Sequence, residues 1–161
     1  MDATPRLVSA RTRLRPVAAE DAPTLRAIVG TPAVARWWHT PDDDFPFDGD
    51  GDTTRWVIEI AHAPELGPQG AVVGMVQAHE GDDPDYDESG IDIFLAPSVH
   101  RHGLGSEVVT MVRDWLVEDR GHHLVQIDPA ASNAAATVPV RVSHGRPSPS
   151  PTTSQWCQSS P

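Results

Sequence analysis

Asp92 interrupts an apolar, β-forming run from Ile91 to Leu95, and a carboxylate in such a strand is costly unless something receives its charge. A cation or a proton donor would do so. A salt bridge to a local arginine, or an outward-facing side chain, would satisfy the same residue without chemistry. Beyond the strand, Gly103-Leu104-Gly105 opens a segment in which Leu104, Val108, Met111 or Val112, and Trp115 recur at helical spacing. Glycines at a helix N-terminus let backbone N–H groups approach an anion, and the helix dipole adds partial positive charge there. Such a loop suits a phosphate or pyrophosphate, although a loop that only needs small residues has the same composition.

Other clusters carry weaker signals. Trp37-Trp38 are either core plugs or the wall of a ligand site. Two acidic loops, six carboxylates in Asp42 to Asp52 and six in Glu80 to Glu88, would draw in a polycation or simply be solvated. Asp48, Asp50, Asp52 and Glu59 fall at positions 1, 3, 5 and 12 of a calcium-loop spacing, but position 6 is Thr53 where glycine is required. His100/His102 and His122-His123 have no spaced acidic or cysteine partners, so no metal site is expected.

The elements that must position these residues follow from pattern and punctuation. Arg11 to Val17 reads as a short edge strand, and Glu20 to Val29 as a helix with Ala22, Leu25, Ile28 and Val29 on one face and Gly30 as its stop. Thr31-Pro32 is an N-cap and first turn for a second helix ending at Trp37-Trp38. Pro41 to Asp52 reads as a mobile surface loop. Trp56 to Ala61 and Gly70 to Ala78 read as an antiparallel hairpin, with Gly74 marking a bulge or a close backbone approach. The glycine-led helix should run to about Asp119 and end at Gly121, and Leu124 to Ile127 is a final short strand.

Composition sets limits on function. A chain of 161 residues suits one domain, and a net charge of −11 disfavours nucleic acid or an anionic membrane as a partner and favours a cationic one. The single cysteine, Cys157, excludes an internal disulfide framework, and no run approaches the roughly 20 apolar residues that span a bilayer. The expectation is a soluble, cytoplasmic protein.

The order strand, helix, helix, three strands, glycine-led helix, strand resembles the GCN5-related N-acetyltransferase superfamily. Within it the chain looks like the aminoglycoside 6'-N-acetyltransferases, through Trp37-Trp38, Val73-Gly74 with Gln77, Gly90-Ile91-Asp92, and Gln126, Asp128, Pro129, Ser132 and Asn133 in order. The resemblance covers roughly Arg11 to Ala136. It implies an α/β (α+β) fold with a mixed, mostly antiparallel sheet flanked by helices. It also implies acetyl-CoA as co-substrate, with backbone groups of Phe94 and Leu95 on the pantetheine arm. Arg101, His102, Gly103, Leu104, Gly105 and Ser106 would hold the pyrophosphate, and Asn133 would also contact the cofactor. Asp92 becomes the catalytic residue and amine ligand, with Trp38, Gln77 and Asp128 binding a polycationic amine. Asp128-Pro129 is equally a turn former.

Two departures stand out. His100 occupies the loop's usual arginine or glutamine position, which backbone contacts to phosphate would tolerate. After Asn133 the family pattern of a tyrosine-bearing helix and two further strands is missing. The last 23 residues contain five prolines and no helical period, and the only tyrosine is Tyr86. Residues 137–161 are thus expected to be a disordered or non-native tail, most simply explained by a change of reading frame near Thr137, with a natural short tail as the alternative. The domain then covers 1–136, with weakened activity or a tendency to aggregate. Alternatives are a catalytically impaired acyl-CoA-binding relic, or an acyltransferase for a siderophore hydroxylysine or a protein amine.

Overall fold

A computed structural model describes residues 3–81 and 88–128 of the chain. Six strands form one sheet: β1 (Leu7–Val8), β2 (Thr12–Pro16), β3 (Thr53–Ile60), β4 (Val72–Glu80), β5 (Glu88–Leu95) and β6 (Leu124–Asp128), side by side in that order. Every pairing is antiparallel except β5 with β6, so the sheet is mixed and mostly antiparallel, as the sequence implied. The expected edge position of Arg11 to Val17 is corrected. β2 is covered by β1, through Leu7 opposite Leu14. A two-residue strand is too short to show a period, which is why sequence pattern does not reveal it.

Alternation along the strands gives the sheet two apolar faces. On one, α3 (Leu104–Glu118) presents Leu104, Val108, Val112 and Leu116 to Leu14, Trp56, Ile58, Ile91 and Ile93. On the other, Leu25, Ile28 and Val29 of α1 (Ala22–Val29) and Val34 of α2 (Pro32–Ala35) pack on Val57, Met75 and Phe94. The second helix stops at Ala35, two residues before the tryptophan pair, and the Thr31 hydroxyl donates to the Ile28 carbonyl at 2.6 Å rather than capping it. The loop after it is anchored rather than free along its length. Phe45 joins the second core, and Arg26 Nη2 donates to the carbonyls of Asp42, Asp43 and Phe45.

Gly74 combines both features expected of it. It lies opposite Ile58 beside a register shift at Ile58/Glu59, and a Cβ on it would stand 2.2 Å from the Phe94 carbonyl oxygen. Gly74→Ala must therefore push β4 off β5, and urea denaturation should show a loss of about 3 kcal/mol.

Beside the helical core, Arg15 bridges two carboxylates that are almost fully buried, Asp21 at 2.7 Å and Glu59 at 2.6 Å, and Arg13 adds a second contact to Glu59. The Arg15 hydrogen bond holds Asp21 below its ordinary range. Burial pushes Glu59 up, but hydrogen bonds from Arg15 and Arg13 outweigh it and the carboxyl also ends lowered. Lowered carboxylates contribute stability that is present above their unfolded pKa and lost as pH falls through the folded one. The melting temperature should be level near neutrality and fall below about pH 4. Arg15→Met should flatten that acid limb and cost about 3 kcal/mol at pH 7 by leaving the acids unpaired.

Candidate active site

The β3-β4-β5 register lines up Arg55, Gln77 and Asp92 as one cross-strand row, with Thr53, His79 and Gly90 as the next. With a side-chain period of two, these rows share a face with Val57, Met75 and Phe94. That face is thus apolar beneath α1 and α2 and polar towards the ends of β3 to β5. The polar half is hydrogen-bonded throughout. Asp48 pairs with Arg55 Nη1 at 2.5 Å, Arg55 Nε donates to Gln77 Oε1 at 2.9 Å, and Gln77 Nε2 donates to Asp92 Oδ2 at 2.9 Å. His79 Nε2 lies 2.7 Å from the same oxygen.

Burial pushes the Asp92 carboxyl up. Hydrogen bonds from His79 and Gln77, with the charges of His79 and His39, more than offset this and hold it below the ordinary range. The reciprocal hydrogen bond to Asp92 raises His79, against an opposing effect of burial. With 29% of its side chain exposed, Asp92 is an ionised carboxylate that a solvent-borne cation can reach. Through His79 it connects to a cleft of about 370 Å³, lined by Asp50, Asp52, Thr53, His79, Glu80, Gly81, Glu88, Ser89, Gly90 and Gln126 but not by Asp92 itself. Glu80 is already paired, with Arg120 at 2.9 Å and His122 at 2.8 Å. Burial raises its carboxyl, and these two partners bring it down below its usual value.

The expected site residues separate into several groups. Asp92 and Gln77 meet, but Gln77 is buried and both ends of its amide are engaged, so it orients Asp92 rather than facing a substrate. Trp38 is corrected from a stacking surface to a core residue, 7% exposed, edge-on to Phe94 with ring centroids 4.9 Å apart; the open indole is Trp37. Asp128 is paired opposite Asp92 in the parallel ladder. Asn133 lies outside the described residues, as do Tyr86, the signature residues Pro129 and Ser132, and the tail 137–161.

At the glycine loop, Gly103 is the N-cap of α3 with φ 77° and Arg101 has φ 66°, the left-handed region that glycine tolerates best. Arg101, His102 and Ser106 are exposed, and the His102 carbonyl accepts from Arg11 Nη1 at 2.8 Å. The Leu104 side chain lies in the core, 1% exposed, which leaves its backbone to face a ligand. Glu107, in the first turn, is turned aside by Arg11 and Ser9. The Phe94 carbonyl points at β4 and Ala96 N donates to Val73 O, so by alternation Leu95 alone of the expected pair turns its backbone to the open side. There its carbonyl meets His100 Nε2 at 2.8 Å.

This arrangement, a glycine-led helix after a strand that pairs in parallel with β6, has a counterpart in known proteins. A family model described as an acetyltransferase (GNAT) domain matches residues 11–138. The chain belongs to the GNAT acetyltransferase family. Solved structures of similar fold include the acetyltransferase from Agrobacterium tumefaciens str. C58, with 22% identity, TM-score 0.60, and coverage of 78% of this chain and 74% of that one. The aminoglycoside acetyltransferase AAC(6')-Ib, solved with coenzyme A and kanamycin, is 21% identical with TM-score 0.58, covering 73% and 74%. A spermidine N-acetyltransferase chimera of Vibrio cholerae SpeG and hSSAT is 16% identical with TM-score 0.55, covering 73% and 70%. No protein of curated function matches in sequence.

As a GNAT acetyltransferase the protein uses acetyl-CoA, and the residues present fit it. The helix start is free of side-chain capping, its N-cap is glycine, and Arg101 stands exposed beside it. Among the described residues no group of three or more His, Cys, Asp or Glu could hold a metal, and no helix is long and apolar enough to cross a membrane. The calcium spacing is also spent, since Asp48 serves Arg55 and Glu59 serves Arg13 and Arg15.

His79, Arg55 and His39 are site residues that the sequence reading does not single out. Two had a usable signal. His79 is two residues after Gln77, hence on its face, and Arg55 is two before Val57, in a strand that begins at Thr53 rather than at the expected Trp56. Arg55→Met should free both Asp48 and the Gln77 amide. Exposure of the 41–52 loop to limited proteolysis should then rise several-fold, with thermal stability lowered only slightly.

Proposed function

We propose that this acetyltransferase modifies a primary amine on a polycationic small molecule, of which an aminoglycoside 6'-amine is the leading instance. The observation that carries this reading is the ionised, partly exposed Asp92 carboxylate, connected through His79 to a cleft rich in acidic residues. A carboxylate there attracts and orients an ammonium, and a cleft with Asp50, Asp52 and Glu88 favours an acceptor with further positive groups. Likeness to one solved enzyme that held kanamycin and another named for spermidine is in keeping with such acceptors.

The chemistry requires that the amine nitrogen lose a proton, bond to the acetyl carbon and release coenzyme A as thiol. One proton leaves the ammonium towards Asp92, and one reaches the departing sulfur. In this reading the backbone of Leu95 and of 101–106 holds the cofactor, Asp92 draws the amine in, and Asp128, at the facing register position, contributes to a second ammonium. Asn133 stays a proposed cofactor contact.

The acetyltransferase domain is placed at 1–136 and 137–161 taken as a tail. A second reading, an acyl-CoA-binding chain with impaired turnover, is favoured by the proline-rich sequence after Ala136, which holds no tyrosine. Thiol release from acetyl-CoA over a panel of kanamycin, spermidine, hydroxylysine and a peptide N-terminus separates these. Release with kanamycin or spermidine is expected, and Asp92→Asn should lower kcat by about 10²- to 10⁴-fold with acetyl-CoA binding retained. Acetyl-CoA binding without turnover on any amine supports the second reading.

A further inference from the structure

Asp92 is not the last group on its hydrogen-bond chain, and the geometry beyond it is built around a histidine. Thr53 Oγ1 donates to Asp50 Oδ1 at 2.8 Å, so its lone pairs face His79 Nδ1, 3.0 Å away. Nδ1 must then carry hydrogen, which leaves Nε2 as the nitrogen that gains or loses a proton. Nε2 is 2.7 Å from Asp92 Oδ2 and 2.9 Å from Gln77 Nε2. The Gln77 amide is held in that orientation by Arg55 on its oxygen. When Nε2 is protonated it donates to Asp92; when it is bare, the Gln77 N–H fills its lone pair. The protonated form is the better satisfied of the two, because a bare Nε2 faces the Asp92 carboxylate, and with 46% of the side chain exposed the ring can exchange its proton with solvent.

We propose that His79 is the proton store of the acyl-transfer site, receiving through Asp92 the proton that leaves the acceptor ammonium. The inference rests on the amine acetyltransferase reading above and deepens it. In the balanced step, the ammonium proton passes by way of Asp92 Oδ2 to His79 Nε2, and the freed nitrogen lone pair forms the C–N bond. The C–S bond breaks with its electrons on sulfur, the second proton on that nitrogen passes to the sulfur to give coenzyme A as thiol, and the exposed imidazolium returns its proton to solvent. His79 acts through Asp92 and is a positioning residue, while Thr53 and Asp50 fix its tautomer. The groups facing it are Asp92 on β5, Asp50 from the loop, Arg55 and Thr53 on β3, and Gln77 on its own strand. Asp92 and Asp50 raise the ring's pKa, and Arg55 opposes them. A raised histidine is charged until pH passes above its ordinary value, and only the neutral ring accepts a proton.

The test is kcat against pH with acetyl-CoA and kanamycin or spermidine, followed by thiol release, for the wild type, His79→Gln and Thr53→Val. The wild type should gain activity with rising pH along a limb centred above the usual histidine value. His79→Gln should lose that limb and about 10²-fold in kcat, with KM for acetyl-CoA within twofold. Thr53→Val should keep the limb but displace it. Ring-nitrogen NMR on the wild type should show the Nδ1–H tautomer and a titration that drops in Asp92→Asn. If the wild type turns over while His79→Gln keeps its limb and its kcat, the proton-store role is wrong and the acetyltransferase reading stands. If no amine in the panel releases thiol from the wild type, the amine reading fails and this role fails with it. An Nε2–H tautomer in the neutral wild type also overturns it.

Discussion

β4 and β5 approach so closely at Gly74 that no side chain can stand between them, because a single methyl there would overlap the Phe94 carbonyl. This contact pins Gly74 against Leu95, and from that pair the register runs without a break to Gln77 opposite Asp92 and His79 opposite Gly90. A slip of one residue would turn every side chain of the strand to the other face, placing Asp92 and Gln77 in the apolar core beneath α3. The polar network therefore depends on a backbone contact several residues away from any of its members.

The same face of the sheet performs two tasks because its residue types change along the strands. Val57, Met75 and Phe94 are covered by α1, α2 and Phe45, which exclude water from one side of the site. Arg55, Gln77, His79 and Asp92 follow at the next alternate positions, where each charge already has an opposite or a hydrogen-bond donor. Partly buried charge is tolerable in this form because desolvation is offset by paired partners. The opposite face shows the economy of α3. Its Leu104 side chain fills the core while its N-terminus, capped by the exposed Gly103, carries the positive end of the helix dipole.

Much of this was legible in the amino-acid order. The alternation of apolar runs and glycine or proline stops marks the main strands and helices in the right sequence, and Gly74 and Gly103 are read correctly as a close approach and a helix start. Asp92 is recognisable because a carboxylate in an apolar strand demands a partner. Its partner was not recognisable as such. Sequence reasoning looks for an arginine nearby in the chain, whereas the partner is His79, thirteen residues away and brought into reach by the β4-β5 pairing. Trp38 shows the converse error, since type alone cannot tell a stacking platform from a core plug; the contact with Phe94 decides it.

The sequence by itself thus determined the local elements, the acidic balance, and two features of the proposed site, a glycine-led helix and an intrastrand acid. These follow from short-range physics: periodicity, φ preference and the cost of a charge among apolar neighbours. Only the tertiary structure decided the hydrogen-bonded path from Asp48 to Asp50 through Arg55, Gln77, Asp92, His79 and Thr53, because that path crosses three strands. Which residues become neighbours across a sheet is set by register, and register belongs to the pairing of strands rather than to any one of them.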